Sequence, residues 1–556
     1  MVSIASSRLA IEILIGTVDD ALKILSPSLE EYKGCHIIDI HPGAGLWSSK
    51  IHDLLKPKSH LLLEPSADVY QPFLKPLLDA PNSTYKFLET QLFAKGLSRG
   101  TYGLDSIWNA LGFPEPDDAQ LDRPNSSILV LAGLARIPPR YQGELISLRR
   151  STAEKFLFQY LNSLRTRCGL HQKGLVRLLA WIMDADKFNI LPRSVAGLEG
   201  VTIRTADELC DIREVVGSAG FPKSRRPPHY DLLSAAAVAR RMEAVNQSIP
   251  VARQNRIFKL AAKALTNREK EESHGAFVDG EAALTPNVLD EIAELRTEEQ
   301  RFAFSGRTLL SRPTHNRSIR TDAAAMVKGR ARFDAHVGAT SPIPSSLYID
   351  RLVIMEGVLN QMERDYAAGA FPPAERPTKV AEMDSLAATL TEGYRPLSRR
   401  DRRLAAQSAD NIEAARSSPP ILAWDRRAVE PLDAGEHEFW PRHRMALLDI
   451  TPKANASRSP VFQQLLVRSL LREDAMPIAE ALERVAFGAA NALLPKCEAI
   501  NDPLRGGRLH LENMRVRMLT LEMVQELLRE WNAWPFQKSH DDLWNDFGHN
   551  EFDTLL

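Results

Sequence analysis

Short apolar runs alternate with helix-like segments over the first part of the chain, at residues 36–40, 60–63, 128–134 and 176–183. Their length and almost continuous hydrophobicity predict strands of a parallel sheet that helices cover on both faces. Ser151 and Glu154 form an S-x-x-E capping-box pattern ahead of an apolar stripe, so we expect a helix to begin there.

The pattern changes at about residue 215. Residues 215–418 are rich in Ala, Arg and Glu, and helical runs alternate there with Pro-containing breaks. A strand signal returns at 445–450, and apolar positions with helical spacing then follow at 461–472, 476–492 and 510–531. The predicted division is a doubly wound α/β domain at 20–214 and 419–455, a helical, partly disordered insertion at 215–418, and a helical C-terminal domain at 456–548.

Composition sets limits on function. The 556 residues are 44% hydrophobic, and 70 Lys and Arg balance 71 Asp and Glu to a net charge of −1. This excludes collagen-like and wholly disordered chains, and any nucleic-acid surface must be a local basic patch. No apolar run reaches the roughly 18 residues of a membrane span. The 4 cysteines and 14 histidines lack metal-ligand spacing, so we expect neither membrane insertion nor a metal site.

The segment Asp39-Ile40-His41-Pro42-Gly43-Ala44-Gly45 follows the first predicted strand and precedes a helix. Glycines there let a ligand approach the backbone, next to the free N–H groups of a helix N-terminus. Glu64 ends the next strand, where a carboxylate can accept the hydroxyls of a ribose. This arrangement favours a nucleoside-containing cofactor held by Asp39, Gly43, Gly45 and Glu64. A tight strand-to-helix turn without a ligand is the alternative.

DIHPGAG resembles the first motif of class I S-adenosylmethionine methyltransferases, and more narrowly that of the rRNA adenine N6-dimethyltransferase family. The surrounding segment is similar to the fungal mitochondrial transcription factors of the B type, which belong to that family. The ending LTLEMVQELLREWNAWPF at 519–536, Trp424-Asp425 and the MALLDITP strand also resemble these factors. The resemblance implies a methyltransferase-like fold at about 20–210 and 420–545 and leaves the insertion outside it.

Departures from the methyltransferase pattern suggest that catalysis is lost. The family's Asn-Leu-Pro-Tyr motif holds the target adenine, and here Gly133 stands for the Asn, Ala135 for the Pro and Arg136 for the aromatic residue. His41 replaces a glycine near the cofactor. Gln91 stands where the family has an Asp that contacts the cofactor adenine. The resemblance therefore implies no catalytic residue, with S-adenosylmethionine binding left open.

Three functions follow from the resemblance. The first is a transcription factor of the mitochondrial matrix that binds mitochondrial RNA polymerase and helps it to recognise and melt promoter DNA. The second is an active rRNA adenine N6-dimethyltransferase, and the third is a non-catalytic factor that binds small-subunit rRNA during ribosome assembly. The N-terminal segment has Ser3, Ser6, Ser7 and Arg8 with no acid before Glu12, which fits a transit peptide or an ordinary first helix.

Basic residues mark candidate nucleic-acid contacts. Arg515, Arg517 and Arg529 lie in the C-terminal region near Trp531 and Trp534, and we expect them to face nucleic acid. Further basic stretches occupy 301–332 and 395–403 of the insertion, where a solvated surface is the alternative.

Overall fold

Eight of the ten strands in the described residues form one mixed sheet in the computed structural model. It describes residues 12–13, 15–88, 104–113, 117–135, 151–218, 228–262, 345–440, 442–454 and 456–546. The strands are β1 (Glu12–Ile13), β2 (His36–Ile40), β3 (Ser59–Leu63), β4 (Tyr85–Leu88), β5 (Pro124–Gly133), β6 (Leu175–Met183), β7 (Cys210–Gly217), β8 (Leu432–Asp433), β9 (Phe439–Trp440) and β10 (Met445–Pro452). The α/β prediction is confirmed.

The order in the sheet is β4-β3-β2-β5-β6-β10-β7-β8, and β1 pairs separately with β9. Strands β2 to β6 are parallel to one another, whereas β10 runs antiparallel to both β6 and β7. The direction of winding reverses between β2 and β5, which is compatible with a Rossmann-like fold. In such sheets the crevice outside the carboxyl ends of these two strands is the usual ligand site.

Helices cover both faces of the sheet, and further helices form the insertion and the C-terminal region. They are α1 (Ile15–Leu29), α2 (Leu46–Leu55), α3 (Ala67–Leu78), α4 (Leu104–Leu111), α5 (Asp118–Leu121), α6 (Thr152–Thr166), α7 (Val201–Leu209), α8 (Pro228–Ala244), α9 (Ser345–Ala367), α10 (Arg376–Tyr394), α11 (Arg399–Arg416), α12 (Leu465–Leu471), α13 (Ile478–Val485), α14 (Ala489–Leu493), α15 (Glu498–Asn501), α16 (Leu521–Ala533) and α17 (His540–Asp546). The capping box forms as predicted, since Ser151 Oγ accepts from the Glu154 N–H and Glu154 accepts from the Ser151 N–H at 2.8 Å.

Neighbouring strand residues face opposite layers of the core. Ile37 packs with α1, α2 and α8, while Ile38 packs with α4 and α6. Since both faces are buried, the strands carry apolar side chains at nearly every position, which is why they appear in the sequence as continuous apolar runs.

The predicted start of the insertion is displaced. Strand β7 ends at Gly217, so a boundary between 214 and 215 cuts a strand of the sheet. Helix α8 also belongs to the main core, because Leu232, Ala235 and Val238 pack with α1 and the sheet. Only α9, α10 and α11 form a core of their own, around Leu359, Met383 and Leu390.

The single helix predicted at 510–531 begins only at Leu521. The preceding residues form two short 3-10 turns, and several of their other backbone groups bond to residues 474–478 instead of continuing a helix. The Ile478 N–H donates to the Met514 carbonyl at 2.7 Å, and the Arg517 N–H donates to the Asp474 carbonyl at 2.9 Å. Those groups are therefore satisfied without a helix.

Arg515 and Arg517 join this segment to α9 and α11. Arg515 donates to Glu356 and to Asp410 at 2.7 Å each, and Arg517 donates to Asp410 at 2.6 Å and pairs with Asp474 at 3.4 Å. All five residues are buried. We call them the ionic joint. The prediction that Arg515 and Arg517 face nucleic acid is wrong, because buried carboxylates already neutralise both guanidinium groups.

His510 adds a titratable contact between the same segments. Its ring lies 2.6 Å from Glu363 of α9 and 3.0 Å from Asp384 of α10. The hydrogen bond to Glu363 raises the pKa of His510 to about 9, against the opposing effect of burial, and Asp384 and Glu512 add to the rise. The imidazolium therefore persists at neutral pH.

Removing the shared charge tests the ionic joint. We expect Asp410→Asn to lower the free energy of unfolding by about 3–5 kcal/mol, since two buried guanidinium groups lose their common partner. Asp53→Asn is the matched control, because Asp53 pairs with Lys56 in solvent with its side chain 73% exposed, and should change stability by less than about 0.5 kcal/mol. Urea denaturation followed by circular dichroism measures both, and equal losses would contradict the role of the joint.

The His510 contact predicts a pH dependence. A pKa raised from 6.5 to about 9 in the folded state gives stabilisation that is complete below about pH 6.5 and lost as pH rises through 9. We expect His510→Gln to lose stability at pH 6.5 and to show a flatter decline towards pH 9.5 than the parent chain. His437→Gln, at an exposed loop position, is the control. Parallel stability–pH curves for the His510 variant and the parent would contradict the assignment.

Candidate functional site

The loop at 41–45 joins β2 to α2 at the carboxyl edge of the sheet, beside the reversal in strand order. His41, Gly43 and Gly45 have left-handed φ angles of 58°, 61° and 79°. At Gly45 the left-handed φ favours glycine, and a Cβ there would also make a tight contact of 3.2 Å with the Leu74 side chain. The motif thus lies between a strand and a helix, as the sequence predicts.

Glu64 holds this loop in place. Its side chain is fully buried, and its two oxygens accept from the Gly43 N–H at 3.2 Å and the Ser66 N–H at 2.9 Å. The carboxylate thus links the loop after β2 to the loop after β3. A ribose would need these oxygens at an open surface, so the arrangement does not fit the ribose contact predicted for Glu64.

Asp39 is also internal. Its carboxylate, at the same face of the sheet as His60, lies 3.1 Å from His60 Nε2. His60 Nδ1 contacts His52 Nδ1 at 3.1 Å, and His52 Nε2 contacts the Thr84 hydroxyl at 3.3 Å. Burial, with the nearby His60, lowers the pKa of His52 to about 4, so its ring is neutral at pH 7. With His60 donating to Asp39 and His52 donating to His60, each ring has a donor and an acceptor.

This hydrogen-bonded chain was not predicted. A sequence signal exists, because Asp39 and His60 are polar residues inside two neighbouring apolar strands. A buried carboxylate in a strand needs a partner on the same face of an adjacent strand. The register pairs Asp39 with Leu62, two residues from His60, which places the two polar side chains diagonally on one face.

Gly133, at the carboxyl end of β5, closes the other side of the crevice. A Cβ atom at Gly133 would lie 2.5 Å from the carbonyl oxygen of His41, closer than non-bonded atoms approach. Strand β5 and the 41–45 loop thus come together at the position where the resembling methyltransferases carry Asn. Ala135 is buried, and both Arg136 and Gln91 lie outside the described residues.

The other candidate nucleic-acid residues differ in environment. Arg529 has its side chain 67% exposed and contacts Glu530 at 3.3 Å, so its contact with nucleic acid stays a prediction. The basic stretch at 395–403 is exposed at all five arginines around the start of α11. The stretch at 301–332 lies outside the described residues.

Within the described ranges, no group of three or more His, Cys, Asp or Glu side chains could hold a metal ion. Across the same part of the chain, no helix has the length and apolar character needed to span a membrane. Neither a protein-family model nor a curated protein matches the sequence significantly. The family resemblance therefore depends on the sequence motifs at 39–45, 424–425, 445–452 and 519–536.

The role of Glu64 can be tested by an isosteric change. Glu64→Gln places an NH₂ group against a backbone N–H donor, and we expect the free energy of unfolding to fall by about 1–3 kcal/mol. Glu30→Gln, whose side chain is 58% exposed, is the control. Stability comes from urea denaturation, and S-adenosylmethionine binding from calorimetry on the same proteins. Unchanged stability together with loss of S-adenosylmethionine binding would instead assign the ribose contact to Glu64.

Proposed function

We propose that this protein is a mitochondrial transcription factor of the B type, on a methyltransferase-like fold that has lost catalysis. In this role it binds mitochondrial RNA polymerase in the matrix and assists promoter recognition and melting. The DIHPGAG segment and the C-terminal segment ending in Trp534-Pro535-Phe536 support the family. The mixed sheet, with its reversal between β2 and β5, is compatible with it.

The close contact between Gly133 and His41 is the observation that best supports the loss of catalysis. A methyltransferase of this family needs a side chain there to hold the amino group of the target adenine. In this chain the carbonyl of His41 takes up that space, at 2.5 Å from where a Cβ would be. Restoring Asn would require β5 and the loop to separate, so the site lacks both the group and the room for it.

Internal use of the acidic residues supports the same proposal. Asp39 and Glu64, predicted from sequence to contact the cofactor, bind His60 and two backbone N–H groups. Their hydrogen bonds stabilise the sheet edge. A protein that keeps such a scaffold without this chemistry fits a binding role.

The first turn of α11 supplies a surface for DNA. Arg399, Arg400, Arg402 and Arg403 are exposed there. Cations at a helix N-terminus oppose the helix dipole at a cost that Asp401 in the same turn, and Asp474 at 3.8 Å from Arg403, offset only in part against four arginines. DNA phosphates would offset that cost. We therefore assign the DNA contacts to this surface and Arg529, and not to the buried Arg515 and Arg517.

Run-off transcription with the cognate mitochondrial RNA polymerase tests the proposal. We expect transcript from a linear promoter template to depend on this protein. Arg399→Gln/Arg400→Gln should weaken promoter DNA binding and reduce the slope of log K against log salt by about 2, since each arginine removed leaves one phosphate without its cation. The control is Arg484→Gln/Lys496→Gln, which removes the same charge from exposed positions on other helices.

Two outcomes would contradict the proposal. Dimethyladenosine formed in small-subunit rRNA with labelled S-adenosylmethionine would support the methyltransferase alternative. Tight binding to small-subunit rRNA with no effect on transcription would support a ribosome assembly factor.

A further inference from the structure

A cavity of about 560 Å³ lies between α6, the start of α7, α12 with the segment before it, and the C-terminal helices α16 and α17. Helix α6 starts after β5 at the carboxyl edge of the sheet and ends just before β6 begins. Arg165, in its last turn, therefore lies at the amino edge, opposite the 41–45 loop. The cavity is thus separate from the crevice described above.

The cavity is basic. Its cationic lining consists of Arg165, Arg468 and Lys538, with His540 beside them, and none of the described Asp or Glu residues lines it. Asp541 and Asp542 of α17 are outside the lining, and Asp542 bonds to Ser539. An acid-free concave surface with several cations concentrates a positive potential.

Arg165 and Arg468 lack partners within the part of the chain that the structure describes. Arg165 Nε is buried there without a hydrogen bond, and neither guanidinium forms an ion pair with a described residue. Burial and the neighbouring Arg165 together lower the pKa of Arg468, so the two groups repel each other. By contrast, the buried Arg515 and Arg517 are each neutralised by carboxylates. Two half-buried like charges without a counter-charge leave an anion as the missing partner.

The remaining lining suits a planar ring. Trp544 of α17 is 39% exposed, and the His540 ring lies nearly parallel to it with centroids 6.2 Å apart, whereas Trp531 of α16 is buried in the C-terminal core. Amide side chains, including Asn162, Gln463 and Asn532, line the same cavity. Aromatic faces stack on bases, and carboxamides can both donate to and accept from base edges.

We propose that this cavity binds one nucleotide unit, its phosphate at Arg165 and Arg468 and its base among the aromatic and amide groups. A volume of about 560 Å³ is within the range of small-ligand sites. The nucleotide can come from a single strand of nucleic acid or be free in solution. We infer that the nucleotide belongs to a single strand of nucleic acid, and this choice rests on the proposed function. The inference that the cavity binds a nucleotide does not depend on that function.

The experiment uses the full chain and two probes. A fluorescein-labelled single-stranded 12-mer is titrated by anisotropy at low salt, and adenosine monophosphate is titrated by calorimetry. We expect Arg165→Gln/Arg468→Gln to weaken strand binding by about tenfold or more. Trp544→Leu should weaken it by about fivefold or more, because a base can no longer stack on the indole ring. Arg484→Gln/Lys496→Gln, with the same change in charge, should stay within about twofold of the parent.

Thermal unfolding separates a binding role from a structural one. Because Arg165 and Arg468 repel each other, the double variant should melt at the same temperature as the parent or higher, and the 12-mer should raise the melting temperature of the parent alone. Binding of adenosine monophosphate but not the 12-mer would assign a free nucleotide as the ligand. Unchanged affinity of the cavity variant for both probes, or a lower melting temperature without loss of binding, would overturn the proposal.

The cavity and the proposed function can fail separately. Loss of strand binding in the cavity variant, with no effect of the parent protein on transcription, would uphold the cavity and reject the transcription factor. Normal strand binding by the cavity variant, with polymerase-dependent initiation by the parent, would reject the cavity alone.

Discussion

The sharing of one carboxylate, Asp410, between Arg515 and Arg517 is the interaction on which the C-terminal half depends. Two guanidinium groups can be buried there only because Asp410, with Glu356 and Asp474, is buried beside them. Breaking such a pair leaves a desolvated charge, which is far more costly than never having formed it. The joint therefore makes α9 and α11 integral to the C-terminal region, although they lie in a segment outside the family resemblance.

A second constraint acts at the carboxyl edge of the sheet. There Glu64 links the loops after β2 and β3, and the close contact between Gly133 and His41 brings β5 against the same loop. A methyltransferase-like crevice needs this edge open, with acids and a polar side chain facing a ligand. Here Asp39 and Glu64 bond to the protein itself, and the contact between Gly133 and His41 leaves no room for a side chain at position 133.

The arginines of this protein divide by their partners. Those of the ionic joint meet carboxylates and hold structure, whereas Arg165 and Arg468 meet none of the described acids and line an open cavity. The arginines that begin α11 are exposed against an unfavourable helix dipole. Arginines that are buried against carboxylates therefore have a structural role, and those without such partners can bind phosphates. The net charge of −1 does not distinguish the two groups.

The sequence by itself determined the features that depend on close neighbours along the chain. The apolar runs identified the central strands, Ser151 and Glu154 identified the start of α6, and the glycines after Asp39 identified the turn into α2. The sequence pattern placed the start of the insertion inside β7 and predicted a helix at 510–520, where the backbone instead forms short turns and bonds to residues 474–478. It also predicted that Arg515 and Arg517 lie on the surface, whereas both are buried. Those outcomes belong to the tertiary structure, because their partners are remote: Glu356 is 159 residues from Arg515, and Asp410 is 107 residues from Arg517. A local pattern records how a residue fits its own helix or strand, but the burial of a charge depends on whether the fold brings an opposite charge to meet it.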